Sequence, residues 1–326
     1  MVAADVYCVQ DVGNTSGFWD FNNVGSSTIM VFQPENIRFR AVPVLTNTTP
    51  KGAQRGPGEN QASNMLEPLL DKAARELGID RVALRIANAP GGGKGAFYGA
   101  KKGPVSSAYL REALEKGRDA FKWDERVKHS GKRVGSKVRA LGVGQAYHTA
   151  GYNGFDGLVR ITPDGKLHIH TGVGNLGTYS YASTSRVAAE VLGYDWDNCV
   201  IERGGTNKHI PFNIGQFGSN TTFTMSRTNF AAAMDAKQKL LEIAANKLGG
   251  STQDYDLTNE FVVSKKDSSQ KISFADCAKV AIDIGGKFSG AETPEDINPI
   301  TAASVGGIAG TGLVGVAKDK LPKEGT

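Results

Sequence analysis

The alternation of hydrophobic and polar residues near the N-terminus predicts two strands. Residues 4–13 and 37–44 alternate with the period of a half-buried strand, and the turn residues 46–50 follow the second run. The first run has no capping turn before it. We therefore expect the chain to begin within a larger architecture.

Hydrophobic residues three and four positions apart then predict a helix from Asn64 to Gly78. Asn64 and Glu67 have the spacing of a capping box, and Pro68 would lie in the first turn, where its missing N–H costs little. The predicted buried stripe comprises Met65, Leu66, Leu69, Leu70, Ala73, Ala74 and Leu77.

A second helix is predicted over residues 106–121, and a basic stretch, 128–139, leads into a predicted strand over residues 140–148. We place a domain boundary near residue 135. The glycine run 91–95 lacks the spacing of a phosphate-binding P-loop and is predicted to be a flexible connection.

The second half alternates strands, glycine-rich loops and helices. Its tail, residues 285–326, has few hydrophobic anchors and is predicted to be extended or to depend on a partner. The fold class predicted is α+β, with two mixed α/β domains at residues 1–134 and 135–326. The predicted elements are strands 158–162 and 165–171 around a Pro-Asp-Gly turn, helix 182–192, strand 199–202, a long helix to residue 248, strand 261–263 and helix 274–284.

Two glycine loops in this half each precede a predicted helix. The first is Gly172-Val-Gly-Asn-Leu-Gly177, and the second is residues 215–222, Gly-Gln-Phe-Gly-Ser-Asn-Thr-Thr. Glycines let backbone N–H groups approach a ligand, and a helix N-terminus favours negative charge. Both loops therefore predict a site for a phosphorylated or otherwise anionic ligand.

The first loop also matches a dinucleotide-binding fingerprint, with Glu202 where a ribose-binding acid would lie. His168 and His170 on the preceding strand argue against this interpretation, because a central parallel strand should be apolar. We expect these histidines to face solvent rather than bind a metal, since no third ligand is near. A nicotinamide-dependent dehydrogenase remains an alternative.

Composition narrows the function classes. Much of the net charge of +5 comes from residues 94–139, which we assign to a solvated surface or subunit interface, because few aromatic residues accompany it and no nucleic-acid-binding module is evident. The three cysteines are far apart and are predicted to be buried thiols in a reducing compartment. We find no hydrophobic run of about eighteen residues and no secretion signal. We expect a cytoplasmic protein, or a periplasmic one if a partner carries it.

Arg55 lies in a glycine-flanked loop before the first predicted helix, where a planar guanidinium suits an oxyanion. The alternative is that Arg55 caps carbonyls or pairs with Glu59. Glu67 and Asp71, four residues apart on one helix face, are interpreted as exposed or supporting carboxylates, and no nucleophile is evident.

Taken together, an ordered set of motifs resembles the molybdopterin-binding subunit of the xanthine dehydrogenase/aldehyde oxidase family. The set covers most of residues 4–285. Its members are 11–13, 46–50, 55–59, 67–80 with Leu84, Arg85 and Asn88, 142–144, 163–165, 171–172, 188–193 and 218–222.

The resemblance implies a molybdenum–molybdopterin cofactor, extended in many members to a cytosine dinucleotide, that hydroxylates an aldehyde or N-heterocycle with oxygen from water. It assigns Arg55 to the catalytic pocket, where it would steady negative charge developing on the substrate. It assigns no metal ligand. Cofactor binding is assigned to Gly174, Gly177, Thr178, Tyr179, Ser180, Gly218, Ser219, Asn220, Thr221 and Thr222.

This chain departs from the family pattern. The family's Gly-Gln-Gly is Gly174-Asn-Leu-Gly177 here, Asn220 replaces a small residue and Pro57 replaces an aromatic. The family's C-terminal Gly-Glu motif, which carries the catalytic base, and its first segment have no counterpart. We therefore expect partners that supply the catalytic glutamate, 2Fe-2S clusters and FAD. A non-catalytic scaffold subunit is a further alternative.

Overall fold

The structure is a computed structural model, and it describes residues 1–15, 20–97, 103–148, 155–205 and 207–319. The chain divides at residue 148 into two compact units. Mixed helix and strand content in both units confirms the predicted α+β class. No helix in the described ranges combines the length and hydrophobicity that crossing a membrane requires.

The first unit contains three two-stranded sheets and a group of helices. Its strands are β1 (Ala3–Gly13), β2 (Asn36–Leu45), β3 (Gly93–Phe97), β4 (Gly103–Ala108), β5 (Arg133–Val134) and β6 (Lys137–Val138). Its helices are α1 (Phe21–Phe32), α2 (Glu59–Glu76), α3 (Arg81–Asn88), α4 (Leu110–Phe121) and α5 (Trp123–Arg126).

β1 and β2 confirm the two predicted strands, which pair in parallel. The connection between them is α1, a helix that was not predicted because polar and small residues interrupt its short hydrophobic stripe. Val24, Thr28 and Val31 bury one side of α1, and the ring of Phe39 lies against Gly25.

α2 begins earlier than predicted, and the predicted capping box is wrong. The helix starts at Glu59 after Gly58, whose backbone N–H donates to Gln61 Oε1 at 2.7 Å. Pro68 therefore lies inside the helix rather than in its first turn. Most of the predicted stripe is not core either, since Met65, Leu69 and Leu77 are exposed. The buried residues of α2 are Glu59, Ala62 and Ala74.

The glycine run 91–95 is not a flexible connection, because it enters β3, which pairs with β4. The predicted helix over 106–121 starts later, at Leu110, since Ser106 belongs to β4.

Residues 140–148 form no strand. Instead, Arg81 donates to the Leu141 carbonyl at 2.9 Å, and Ser63 donates to the Gln145 carbonyl at 3.2 Å. These hydrogen bonds hold the segment on the first unit, so the predicted boundary near residue 135 lies within that unit.

The second unit is built on a four-stranded sheet in the order β13–β7–β8–β9, with a three-stranded sheet, β10–β11–β12, beside it. The strands are β7 (Asp156–Ile161), β8 (Leu167–His170), β9 (Cys199–Glu202), β10 (Tyr255–Thr258), β11 (Phe261–Ser264), β12 (Lys271–Ser273) and β13 (Leu313–Lys318). The helices are α6 (Ser180–Leu192), α7 (Ser226–Leu248), α8 (Phe274–Ile284), α9 (Gly286–Ser289) and α10 (Pro299–Ile308).

β7 and β8 confirm the predicted hairpin, and α6 then connects β8 to its parallel neighbour β9. The main core lies between this sheet and the helices α6, α7 and α8, and contains Ile161, Ile169, Leu192, Leu240 and Phe274. A second, smaller core joins the opposite face to α10.

The prediction that residues 285–326 form an extended or partner-dependent tail is wrong for the described part. α10 packs on the sheet, and β13 pairs with β7 along its length. The hydrophobic residues of β13 cover both faces of the strand, a pattern that the surrounding glycines disguise.

Candidate functional site

The first glycine loop leads from the end of β8 into α6. Asn175 organises this loop, because its Oδ1 accepts hydrogen bonds from the backbone N–H groups of Gly177 at 2.9 Å and Tyr179 at 3.1 Å. Gly177 and Tyr179 both have positive φ angles, 89° and 52°. A non-glycine residue in this conformation costs free energy, and such strained residues recur at functional sites.

The second loop repeats this design before α7. Asn213 Oδ1 accepts from the Gly215 N–H at 2.9 Å, and the buried Asn220 donates to the Gly215 carbonyl at 3.1 Å. Ser219 has a φ of 51°. The chain then makes a π-helical turn, Thr221–Met225, which is a local distortion common at functional sites.

One side chain joins the two loops. Gln216 Oε1 accepts from the Leu176 N–H at 3.1 Å, while Gln216 Nε2 donates to Thr178 Oγ1 at 3.2 Å and to Ser180 Oγ at 3.4 Å. The only sequence signal for Gln216 is its place inside the second glycine loop. The structure thus brings the two predicted loops into direct contact within one unit.

Backbone donors at both helix entrances lack acceptors in the described part of the chain. They are the N–H groups of Ser180 and Tyr181 before α6 and those of Ser219 and Thr221 before α7. Neither entrance has a side-chain cap. Unpaired N–H groups at a helix N-terminus bind anions well. This donor set fits a phosphate-bearing cofactor.

The predicted cofactor-binding residues differ in their accessibility. Asn220 and Thr221 are buried and bond each other at 3.3 Å, so they shape the loop. Ser180 is also buried, with its hydroxyl 2.6 Å from that of Thr178. Gly218 is half-buried. The exposed residues are Gly174, Gly177, Thr178, Tyr179, Ser219 and Thr222.

A positive charge accompanies the first loop. The guanidinium of Arg203, just beyond β9, lies 3.9 Å from the ring centroid of Tyr181 in the first turn of α6. Arg203 is exposed, and no ion pair to it occurs in the described residues. Sequence reasoning gave no sign of this contact, since parallel pairing of β8 and β9 creates it.

The histidines of β8 do not face solvent, so that prediction is wrong. His168 Nδ1 lies 3.0 Å from Glu202, which also binds Lys208 at 3.3 Å. His170 is buried with Nδ1 2.7 Å from the His209 carbonyl. Burial lowers the pKa of His170 to about 4. The nicotinamide interpretation required a free carboxylate at Glu202 to bind a ribose, but this carboxylate is paired with His168 and Lys208.

Arg55 is exposed on the loop before α2 in the first unit. Its carbonyl accepts from Asn60 Nδ2 at 2.5 Å, and its guanidinium has no ion pair among the described residues. The alternative pairing with Glu59 is absent, because Glu59 lies 2.9 Å from His148 Nδ1. The guanidinium is therefore available to a ligand.

Glu67 and Asp71 are neither exposed nor catalytic in arrangement. Both bind Arg85, whose side chain is fully buried, at 2.8 Å.

Of the cysteines, Cys277 is buried and Cys8 and Cys199 are half-buried, and all are free thiols. Burial raises the pKa of Cys199 to about 11 and that of Cys277 to about 12.

Comparison with known proteins gives consistent results. Two models described as molybdopterin cofactor-binding domains match residues 1–89 and 116–305. The chain is 29% identical over 223 residues to a putative xanthine dehydrogenase molybdenum-binding subunit of Escherichia coli. That alignment covers 67% of this chain and 29% of the relative. It is 28% identical over 219 residues to an Escherichia coli aldehyde oxidoreductase molybdenum-binding subunit, in an alignment that covers 65% of this chain and 28% of that relative.

Solved structures share the fold. Quinoline 2-oxidoreductase from Pseudomonas putida 86 superposes with a TM-score of 0.65 at 18% identity, covering 99% of this chain and 41% of that one. CO dehydrogenase from Oligotropha carboxidovorans superposes with a TM-score of 0.64 at 18% identity, covering 98% of this chain and 40% of that one. The chain thus spans about three tenths of its curated relatives. It belongs to the molybdopterin cofactor-binding family of molybdenum hydroxylase large subunits.

Proposed function

We propose that the two glycine loops of the second unit hold the phosphate-bearing end of a molybdopterin cofactor. The observation that carries this proposal is the pair of strained loops joined by Gln216, with unpaired backbone N–H groups at both helix entrances. Two adjacent sets of donors suit two linked phosphates. They therefore favour the dinucleotide form of the cofactor, such as molybdopterin cytosine dinucleotide.

The bound cofactor would supply the redox centre for hydroxylating an aldehyde, an N-heterocycle or a related carbonyl compound with oxygen from water. The residues of this chain would bind and orient it. The N–H groups of Ser180, Tyr181, Ser219 and Thr221 would neutralise phosphate oxygens without any ionisable group, so binding would tolerate changes of pH.

Arg55 would act in the catalytic pocket by stabilising negative charge that develops on the substrate. Its exposure and its lack of an ion pair support this role, since a guanidinium already paired would have to be released first.

The chain would work within a complex. The relatives are described as molybdenum-binding subunits, and the chain spans only 29% of the first of them. We propose that partner polypeptides contribute the 2Fe-2S clusters and FAD.

The test is to purify the chain from its own cell with its copurifying polypeptides and to measure molybdenum by emission spectroscopy and pterin by oxidative extraction. Acid hydrolysis would release a nucleotide from the dinucleotide form. We expect all three signals. Pterin-free protein would instead favour the scaffold alternative, and absence of both molybdenum and tungsten would refute the enzymatic role.

A further inference from the structure

The amide of Gln216 can adopt only one orientation. The Leu176 N–H is a donor and cannot accept, so the atom of Gln216 that lies 3.1 Å from it must be the carbonyl oxygen, Oε1. Nε2 must then point at Thr178 Oγ1 and Ser180 Oγ, 3.2 and 3.4 Å away. Both hydroxyls accept hydrogen bonds from this NH₂ group.

This orientation determines where the hydroxyl protons go. The two hydroxyl oxygens lie 2.6 Å apart, so one proton lies between them. Gln216 donates a hydrogen bond to each hydroxyl oxygen, so it accepts no hydrogen bond from either hydroxyl. The second hydroxyl proton therefore has no acceptor on Gln216 and is left for a ligand.

We propose that Gln216 is a positioning residue that makes the Thr178–Ser180 hydroxyl pair a donor toward an anionic oxygen. The inference rests on the proposed function and adds to it a residue from the second loop that controls the chemistry of the first. The ligand it selects is an unprotonated phosphate or pyrophosphate oxygen, which can only accept.

Substitution by glutamate separates this role from a merely structural one. In Gln216→Glu, one carboxylate oxygen still accepts from Leu176, so the tie between the loops persists. The other oxygen accepts the hydroxyl proton and removes it from the ligand. Gln216→Met removes both the tie and the donor.

The full chain, produced in cells that cannot make molybdopterin, is titrated calorimetrically with inorganic pyrophosphate, and its thermal midpoint is recorded. We expect Gln216→Glu to keep a midpoint near that of the wild type but to bind pyrophosphate at least about tenfold more weakly. Gln216→Met should lose both stability and affinity. Gln238→Met, which removes an exposed 3.1 Å bond to Glu242 on α7, is the matched control and should lose neither.

The added charge of glutamate could itself repel pyrophosphate, so a double-mutant cycle completes the test. In a Thr178→Val, Ser180→Ala background, Gln216→Glu should cost little further affinity, because the hydroxyls through which the substitution acts are gone, whereas charge repulsion would persist without them. Additive losses, or wild-type affinity in Gln216→Glu, would overturn the inference. If the wild-type chain binds no pyrophosphate and the native complex contains no pterin, the proposed function fails and the inference fails with it.

Discussion

Arg85 illustrates how a charged residue can become part of a protein core. Its guanidinium binds Glu67 and Asp71 and also donates to the Arg81 carbonyl at 3.0 Å. Burial raises the pKa of the Glu67 carboxyl, while the hydrogen bond from Arg85 opposes that rise. The group links α2 to α3, so its charges stabilise the first unit only as long as they remain paired.

We expect Arg85→Met to destabilise the first unit by about 3–5 kcal/mol, because two carboxylates would lose their buried partner. Urea unfolding followed by the fluorescence of the buried Trp123 measures this. The control is Lys72→Met, which removes an exposed 3.9 Å pair with Glu76 and should cost less than about 1 kcal/mol. Similar losses in both variants would show that the burial of Arg85 has no energetic consequence.

Arg55→Ala should slow turnover of the complex by a factor of about a hundred, as loss of a preorganised oxyanion donor does. Its molybdenum and pterin contents should be unchanged, because the proposed cofactor contacts lie in other residues. Steady-state kinetics and metal analysis of the same preparation provide both measurements. Unaltered turnover would remove Arg55 from the mechanism.

His170 should make the second unit sensitive to acid. Its pKa is lowered from 6.5 to about 4 by burial, so between these values the unfolded chain binds a proton that the folded chain excludes. Lowering the pH through this window should therefore reduce stability by roughly 3 kcal/mol. Urea midpoints at pH 7 and pH 4.5 measure the loss. His170→Gln should diminish it, whereas replacement of the exposed His129 should not.

At the scale of elements, α7 packs against the sheet through glycines. A Cβ at Gly157 in β7 would lie 2.1 Å from the Thr228 carbonyl oxygen, and one at Gly315 in β13 would lie 2.4 Å from that of Ala232. Glycines in two adjacent strands thus leave room for the backbone of α7 to approach the sheet closely. This close packing fixes the position of the N-terminal half of α7 and of the second glycine loop that precedes it.

Gly315→Ala should therefore destabilise the second unit by at least about 2 kcal/mol, since backbone atoms must move to admit the methyl group. Gly306→Ala in α10 is the matched control, because a Cβ there meets open space and the helix should gain about 0.5–1 kcal/mol. Thermal unfolding of the two variants should give midpoint shifts of opposite sign. A stabilised Gly315→Ala variant would contradict the close approach.

Elements with a local signal were predicted well, and those without one were not. The Pro-Asp-Gly turn and the alternation beside it suffice to predict β7 and β8, because a hairpin pairs neighbouring residues. The start of α2 was missed because Gly58 is a weak cap signal, whereas Asn64 and Glu67 match a strong one. Glu67 does not cap α2 and instead forms an ion pair with Arg85 on α3.

At the scale of the molecule, β13 completes the sheet of the second unit. Leu313, Val314 and Val316 are buried on it. Lys239 on α7 donates to the Val314 carbonyl at 2.8 Å, and Asp235 accepts from the Val316 N–H at 2.9 Å. These contacts join the end of the described chain to the centre of the unit.

Truncation after Ile308 should abolish cooperative unfolding of the second unit, because it exposes one edge of β7 and the surfaces that β13 covers. Urea unfolding and limited proteolysis would detect the change. A synthetic peptide of residues 309–319 should restore protection, and a scrambled peptide should not. A truncated chain that unfolds as sharply as the full chain would show that β13 is dispensable.

The sequence by itself determined what depends on neighbours along the chain. Hydrophobic period sets the type of element, and glycine next to a helix start creates backbone donors wherever it occurs. Both glycine loops, the long helix after them and the α+β class could therefore be predicted without coordinates.

Only the tertiary structure decided which of these local features meet. That β8 and β9 are parallel neighbours, that His170 is buried and that Gln216 reaches across to Thr178 and Ser180 depend on residues distant in sequence. Such pairings are chosen by the packing free energy of the whole unit rather than by local preference, and no periodicity records them. The two loops carry the donors, but only the fold brings the loops into contact.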